Sequence, residues 1–250
     1  MRLLEPLVPD PSAPLARPNP IAKIVAALVL MLALFITVDL VTSGIVIAAL
    51  LLAVRFSGLP PRALAARAAP LLIGAAGLGV FNALLSQNAV AGAAIALRVI
   101  GISLAGILAV ATIDPTDLGD ALVEHAHAPP RFVVGALAAL RLFPLFSREW
   151  DILGLARRAR GIEADRSYVD RVRAFPGRAL GLLVAAIRRA TRLALAMDAR
   201  GFGARDCRTL ARPRALTVRD GALVAGALVL AVGATSVSVA LGTWRPLLTF

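Results

Sequence analysis

The chain is poor in the residues that build most site chemistry, with one cysteine, two histidines, one tyrosine and two tryptophans among 250 residues. With Cys207 alone, no internal disulfide forms and no thiolate cluster holds a metal. His125 and His127 lie in a loop before Pro129 without the further ligands a site needs, so neither a metal nor a cofactor is expected. Aromatic residues make up only 5% of the chain and do not interleave with its arginines. That argues against stacking platforms, and therefore against nucleic acid as the partner behind a net charge of +12. No glycine-rich loop ends in Lys-Ser or Lys-Thr, so ATP is not bound here by that means. Nor do the apolar runs gather paired aspartates, Ser with His, or a histidine cluster, so no enzyme is expected.

What is present is apolar surface. Hydrophobic residues are 59% of the chain, mean hydropathy is +0.81 and only 17% of residues are charged, which points to membrane spans. A span needs about 20 apolar residues in a helix. The sequence offers five candidates: Ile21 to Leu40, the short Val41 to Val54, about Ala68 to Leu85, about Ala89 to Ile113, and a last one from Asp220 to near Leu241. Turns are expected at Asp39, Thr42, Ser43 and Gly44, and at Ser86, Gln87 and Asn88. Gly74, Gly77 and Gly79 offer a small-residue face for close helix approach. Met1 to Pro20, with six prolines, reads as an extended cytoplasmic arm and not as a cleavable signal peptide.

Lysine and arginine fall on alternate sides. Arg2, Arg17 and Lys23, then Arg55, Arg62 and Arg67, then the whole middle region lie on one side, while the turns near Asp39 and Gln87 carry none. The positive-inside rule gives an N-in, C-out arrangement, with Trp244 and Arg245 at the outer interface. Residues 114–219 hold nineteen arginines against eleven acidic residues and cannot cross a bilayer as charged helices. Phe132 to Phe146 is nonetheless apolar, and Ala179 to Met197 suits a long amphipathic helix. The expected fold is therefore all-α and polytopic: an arm (1–20), four membrane helices (21–113), a helical cytoplasmic domain (114–219), and a last membrane helix with a short tail (220–250).

Within that domain one short pattern occurs twice, as Ala159-Arg160-Gly161 and Ala199-Arg200-Gly201. Each closes a helical run at glycine, the residue best able to take the left-handed cap, and so presents an arginine on a helix end. A helix C-terminus tolerates the cation, and a guanidinium pairs bidentately with a carboxylate on another protein. Two such ends suit two equivalent grooves on a dimeric partner.

On these residues the chain resembles the transmembrane T component of energy-coupling factor (ECF) transporters, the EcfT/CbiQ/BioN family. Asn19-Pro20 with Lys23 is similar to the start of that family's first helix, and Asp114-Pro115-Thr116-Asp117-Leu118 to its segment after the fourth. Pro129-Pro130 and Leu140-Arg141-Leu142-Phe143-Pro144 lead into the first Ala-Arg-Gly, and Met197 to Phe202 resembles the second signature. The resemblance implies a non-catalytic subunit of a bacterial or archaeal plasma membrane importer. Its two signatures would dock on a pair of ABC-type ATPases, and the subunit would hold a membrane-embedded substrate-binding S component for uptake of a vitamin or transition-metal ion. The alternative is a membrane scaffold or permease subunit whose basic domain binds anionic lipid or another protein. For Arg98, inside a span, the expectations are snorkelling to the outer interface, a contact with the S component, or a pair with Asp39.

Overall fold

A computed structural model describes residues 13–15, 17–161, 168–202 and 215–244. All regular elements among them are helices: α1 (Pro20–Ile36), α2 (Leu40–Arg55), α3 (Pro61–Ser86), α4 (Ala89–Ala111), α5 (Pro115–His125), α6 (Pro130–Ala159), α7 (Tyr168–Ala199) and α8 (Val218–Ala240). The chain divides into two compact units, one of residues 1–121 with 213–250 and one of residues 122–212.

The first unit is a bundle in which α1, α2, α4 and α8 pack on one another and α3 lies along α4. Its core is built of small and branched side chains, Ala26, Leu30 and Leu34 from α1, Val46 and Leu50 from α2, Leu104, Ala105 and Leu108 from α4, and Ala227, Ala231 and Ala234 from α8. Between these four helices lies an apolar cavity of about 280 Å³, with Lys23 and Thr112 among its few polar lining residues.

Four helices, α1, α2, α4 and α5, begin where a side chain takes up free backbone donors, whereas α3 and α6 begin after a proline without one. Asn19 accepts from the amide of Ile21 (3.0 Å) ahead of Pro20, and Asp39 accepts from that of Thr42 (2.7 Å). Asn88 accepts from Val90 and Ala91 (3.0 and 3.3 Å), and Asp114 from Thr116 (2.7 Å) ahead of Pro115. These caps follow the preference of short polar side chains for helix starts and of proline for the first helical position.

The caps also correct two expected boundaries. The first turn is confined to 37–39, because Asp39 starts α2 at Leu40, so Thr42, Ser43 and Gly44 are helical. Likewise α3 begins at Pro61, which needs no amide partner there, and carries Pro70 in its interior. The segment before α1 is also held down: Leu15 donates its amide to the Phe56 carbonyl (3.3 Å), and Ala13 is buried. Residues 1–12 of the expected arm lie outside the described residues, as do Cys207 and Arg245.

Of the three glycines in α3, only Gly79 makes a close approach. A Cβ there would lie 2.9 Å from the Gly92 carbonyl oxygen, and one at Gly92 would lie 2.5 Å from that of Gly79, whereas Gly74 and Gly77 face open space. Backbone atoms cannot swing aside as a side-chain tip does. Gly92→Ala is therefore expected to destabilise by about 1–3 kcal/mol through overpacking. Gly74→Ala, in an open helix interior, should stabilise by about 0.5–1 kcal/mol. Thermal unfolding of the two variants in detergent checks the opposite signs.

Among the described residues, four helices are long and apolar enough to cross a membrane: Leu64–Ser86 of α3, α4, α6 and α8. α1 and α2, at 17 and 16 residues, are shorter apolar helices at two of the five expected span positions. At 1.5 Å per residue each is roughly 25 Å long. α6, which sequence analysis places in the basic middle region, meets the length and composition test as well.

The second unit is dominated by α6 and α7, which lie antiparallel. Arg157, Leu153, Glu149 and Phe146 of α6 meet Gly177, Gly181, Arg189 and again Arg189 of α7. Farther along, Leu142, Ala138 and Val134 line one cleft with Leu193 and Met197. One ion pair at this joint is Arg189 to Glu149 at 3.0 Å, with the same guanidinium 5.8 Å from the Phe146 ring centre.

Candidate functional site

Both Ala-Arg-Gly segments end helices, and they do so in the same way. α6 stops at Ala159 with Arg160 as its C-cap, where the Arg160 amide donates to Ala156 (3.3 Å) and the Gly161 amide to Arg158 (2.9 Å). α7 stops at Ala199: the Arg200 amide donates to Met197 (3.1 Å), that of Gly201 to Asp198 (2.9 Å) and that of Phe202 to Met197 (3.0 Å). The last two bonds are the pair that defines a Schellman cap. At the end of α6 the second bond would involve Ile162, outside the described residues.

Both glycines are left-handed, Gly161 at φ +71° and Gly201 at φ +73°. Nothing crowds Gly161, so conformation alone accounts for glycine there. Ala159, Arg160 and Gly161, like Ala199, Arg200 and Gly201, are exposed. The two guanidiniums are thus not packed into the unit's own interior. Because α6 and α7 run antiparallel, the two arginines stand at opposite ends of the pair. About 25 residues of α7 separate them, or roughly 40 Å at 1.5 Å per residue.

Residues 11–209 match the family described as CbiQ, cobalt transport protein. The chain belongs to the CbiQ family. The match takes in both Ala-Arg-Gly ends and every helix from α1 to α7. This CbiQ-family chain is also similar to proteins named energy-coupling factor transporter transmembrane protein EcfT. It is 33% identical to that of Staphylococcus aureus (strain 04-02981) over 135 residues, half of each chain. For that of Brevibacillus brevis the identity is 36% over 108 residues, 43% of this chain and 38% of the relative. For that of Bacillus subtilis (strain 168) it is 35% over 94 residues, 37% and 36% respectively. The chain spans about half the length, or less, of these curated relatives. As a CbiQ-family protein with several long apolar helices, it is a multi-pass protein of the plasma membrane.

Sequence reasoning missed a second polar feature, in the first unit. The Asn19 amide donates to Asp220 Oδ1 (2.6 Å), and the amide and hydroxyl of Thr217 donate to Oδ2 (2.7 and 2.8 Å). Lys23 donates from Nζ to the Thr112 carbonyl (2.9 Å) and acts electrostatically on the Asp220 carboxylate. Asn19, Lys23, Thr112 and Asp220 are each no more than 5% exposed. The knot joins the start of α1, the end of α4 and the start of α8. Its signal in the sequence is a lysine and an aspartate set at the rims of two apolar runs.

Arg98 does not pair with Asp39: Nε donates to the Leu34 carbonyl (2.8 Å) and Nη2 to that of Phe35, at the end of α1 beside the turn at 37–39. The guanidinium sits 5.2 Å from the Phe35 ring centre. It thus satisfies carbonyls that the end of α1 leaves without helical partners.

Proposed function

We propose that this chain is the transmembrane coupling subunit of an ECF-type ABC importer. In this reading the Arg160 and Arg200 ends dock in the two equivalent grooves of a pair of cytoplasmic ATPases. Motion driven by ATP passes through α6 and α7 to a membrane-embedded S component that carries a vitamin or a transition-metal ion. The chain itself performs no catalysis. The observation that carries the reading is the pair of exposed, glycine-capped arginines at opposite ends of one antiparallel helix pair, within the CbiQ match.

A physical argument supports laying this pair along the membrane surface. Arg188, Arg189 and Arg192 of α7 run beside the middle of α6. Were α6 to cross the bilayer, these arginines would sit near mid-depth, at about 2.5–3.5 kcal/mol each. Lying flat, α6 keeps its apolar surface toward lipid or a membrane partner, and both arginine ends reach the same compartment. That is the geometry a two-fold motor requires. The positive-inside distribution of lysine and arginine places that compartment in the cytosol.

The decisive measurement is co-purification of the ATPases with the solubilised chain. Arg160→Ala and Arg200→Glu should each reduce ATPase recovery while leaving membrane insertion intact. The Arg160→Ala/Arg200→Glu double variant should abolish recovery. Undiminished recovery in the double variant would remove the proposal and favour a scaffold that uses its basic surface for anionic lipid, which vesicle flotation with and without phosphatidylglycerol would then show.

A further inference from the structure

α6 and α7 meet near the first arginine end through a reciprocal notch. Gly154 of α6 faces the Arg178 guanidinium, so that a Cβ built there would lie 3.1 Å from its Cζ and Nη1. Gly177 of α7 faces the Arg157 guanidinium, with a Cβ 2.7 Å from Nη2 and 2.9 Å from Nη1. Each helix therefore lays an arginine over the glycine of the other. Gly154 is the one buried residue of α6. Beside the notch, Arg178 lies 6.0 Å from the Trp150 ring centre, and Trp150 packs on Phe175 at 5.4 Å between centroids.

The position of this notch gives it leverage. Arg160 stands about 9 Å along α6 from Gly154, whereas Arg200 stands about 34 Å along α7 from Gly177, at 1.5 Å per residue. A change of about ten degrees in the crossing therefore carries Arg200 through roughly 6 Å and leaves Arg160 almost in place. Pro176, directly before Gly177, removes one backbone donor from α7, so the helix is least stiff where the crossing is made.

We infer that Gly154 and Gly177 are positioning residues: the two guanidiniums they admit fix the crossing of α6 and α7 and so set the spacing of the Arg160 and Arg200 ends. The inference rests on the docking reading above, since spacing matters only if both ends are engaged together. A bulky side chain at either glycine expels the opposing guanidinium and alters the crossing. The far end then misses its groove while the near end keeps its own.

The test uses the full chain with its ATPases, in a C207S background with spin labels at L155C and L195C, both exposed sites. Gly154→Leu and Gly177→Leu are expected to shift the inter-label distance by several ångström in pulsed EPR. Native mass spectrometry should show the ATPase complement falling from two per chain toward one. Gly135→Leu, in open space on α6, changes neither readout. Should a leucine variant fail to fold, Gly177→Ala is expected to give a smaller shift, because only the tip of the flexible Arg157 side chain has to move, and Arg157→Gln, which withdraws that guanidinium, is expected to shift the same distance. Unchanged label distances across these folded variants overturn the inference, as does a full complement of two ATPases despite a shift. If instead Arg160→Ala/Arg200→Glu leaves ATPase recovery intact, the docking reading fails on its own experiment, separately from the notch.

Discussion

Asp220→Ala should be among the most damaging single substitutions in the membrane unit, lowering stability by on the order of 3–5 kcal/mol, the range for removing one partner from a buried charged network. The carboxylate receives three donors, the Asn19 amide and the amide and hydroxyl of Thr217, and it lies within the electrostatic reach of Lys23. Alanine leaves the buried Asn19 amide without its acceptor and breaks the capping bonds of Thr217, whose exposed donors can turn to solvent. Asp220→Asn retains one acceptor oxygen but turns an amide toward donors that already fill the other side, so its loss should be intermediate. Lys23→Met should also be costly, because it strips the Thr112 carbonyl of its partner and the carboxylate of its countercharge. Since the groups act on one another, the Asp220→Ala/Lys23→Met double variant should lose clearly less than the two singles together. Thermal unfolding of the four proteins in one detergent measures this. Strict additivity would mean that Lys23 and Asp220 do not form a single network.

Arg98→Leu is expected to cost about 1.5–3 kcal/mol, the worth of hydrogen bonds from a charged donor. The residue sits in the interior of α4, where leucine would ordinarily suit lipid better than arginine does. The loss arises at a different helix. Thr37 already covers the Ala33 carbonyl at the end of α1, through its amide and its hydroxyl, and Arg98 covers the next two. Without it those carbonyls have no helical partner. Arg98→Lys should recover part of the loss, since an ammonium can reach one carbonyl but lacks the planar fork for two. ATPase recovery per folded chain should be unchanged in both variants. If Arg98→Leu keeps full thermal stability and instead loses a partner, the capping role is wrong and a contact surface takes its place.

Much of the architecture was legible because it depends on local chemistry. Long apolar runs, prolines and short polar residues at their rims, and glycine after arginine each act within a turn or two of the backbone. That is why the glycine caps at Gly161 and Gly201 follow from the sequence, whereas Asn88, expected as a turn residue, starts α4. Where local reasoning slipped, a cap or a proline had two readings: Asp39 is a turn residue by type but a helix start by geometry, and Pro61 opens α3 where Ala68 was expected to. α6 shows the limit from the other side. Its length and apolarity fit a span, whereas its own Arg141, Arg148, Glu149 and Asp151 and the arginines of the helix beside it argue against one.

By itself, then, the sequence determined that the chain is helical and membrane-embedded, and that two arginines stand at glycine-stopped ends. These follow from the solvent preference of the side chains and from the conformational freedom of glycine, neither of which needs a distant partner. Only the tertiary structure decided that Lys23 and Asp220 share a buried knot, that Arg98 serves the end of α1, and that Gly154 and Gly177 each receive an arginine from the other helix. Those contacts join residues 20 to 200 positions apart, and what brings them together is the packing of whole helices, which no local pattern encodes.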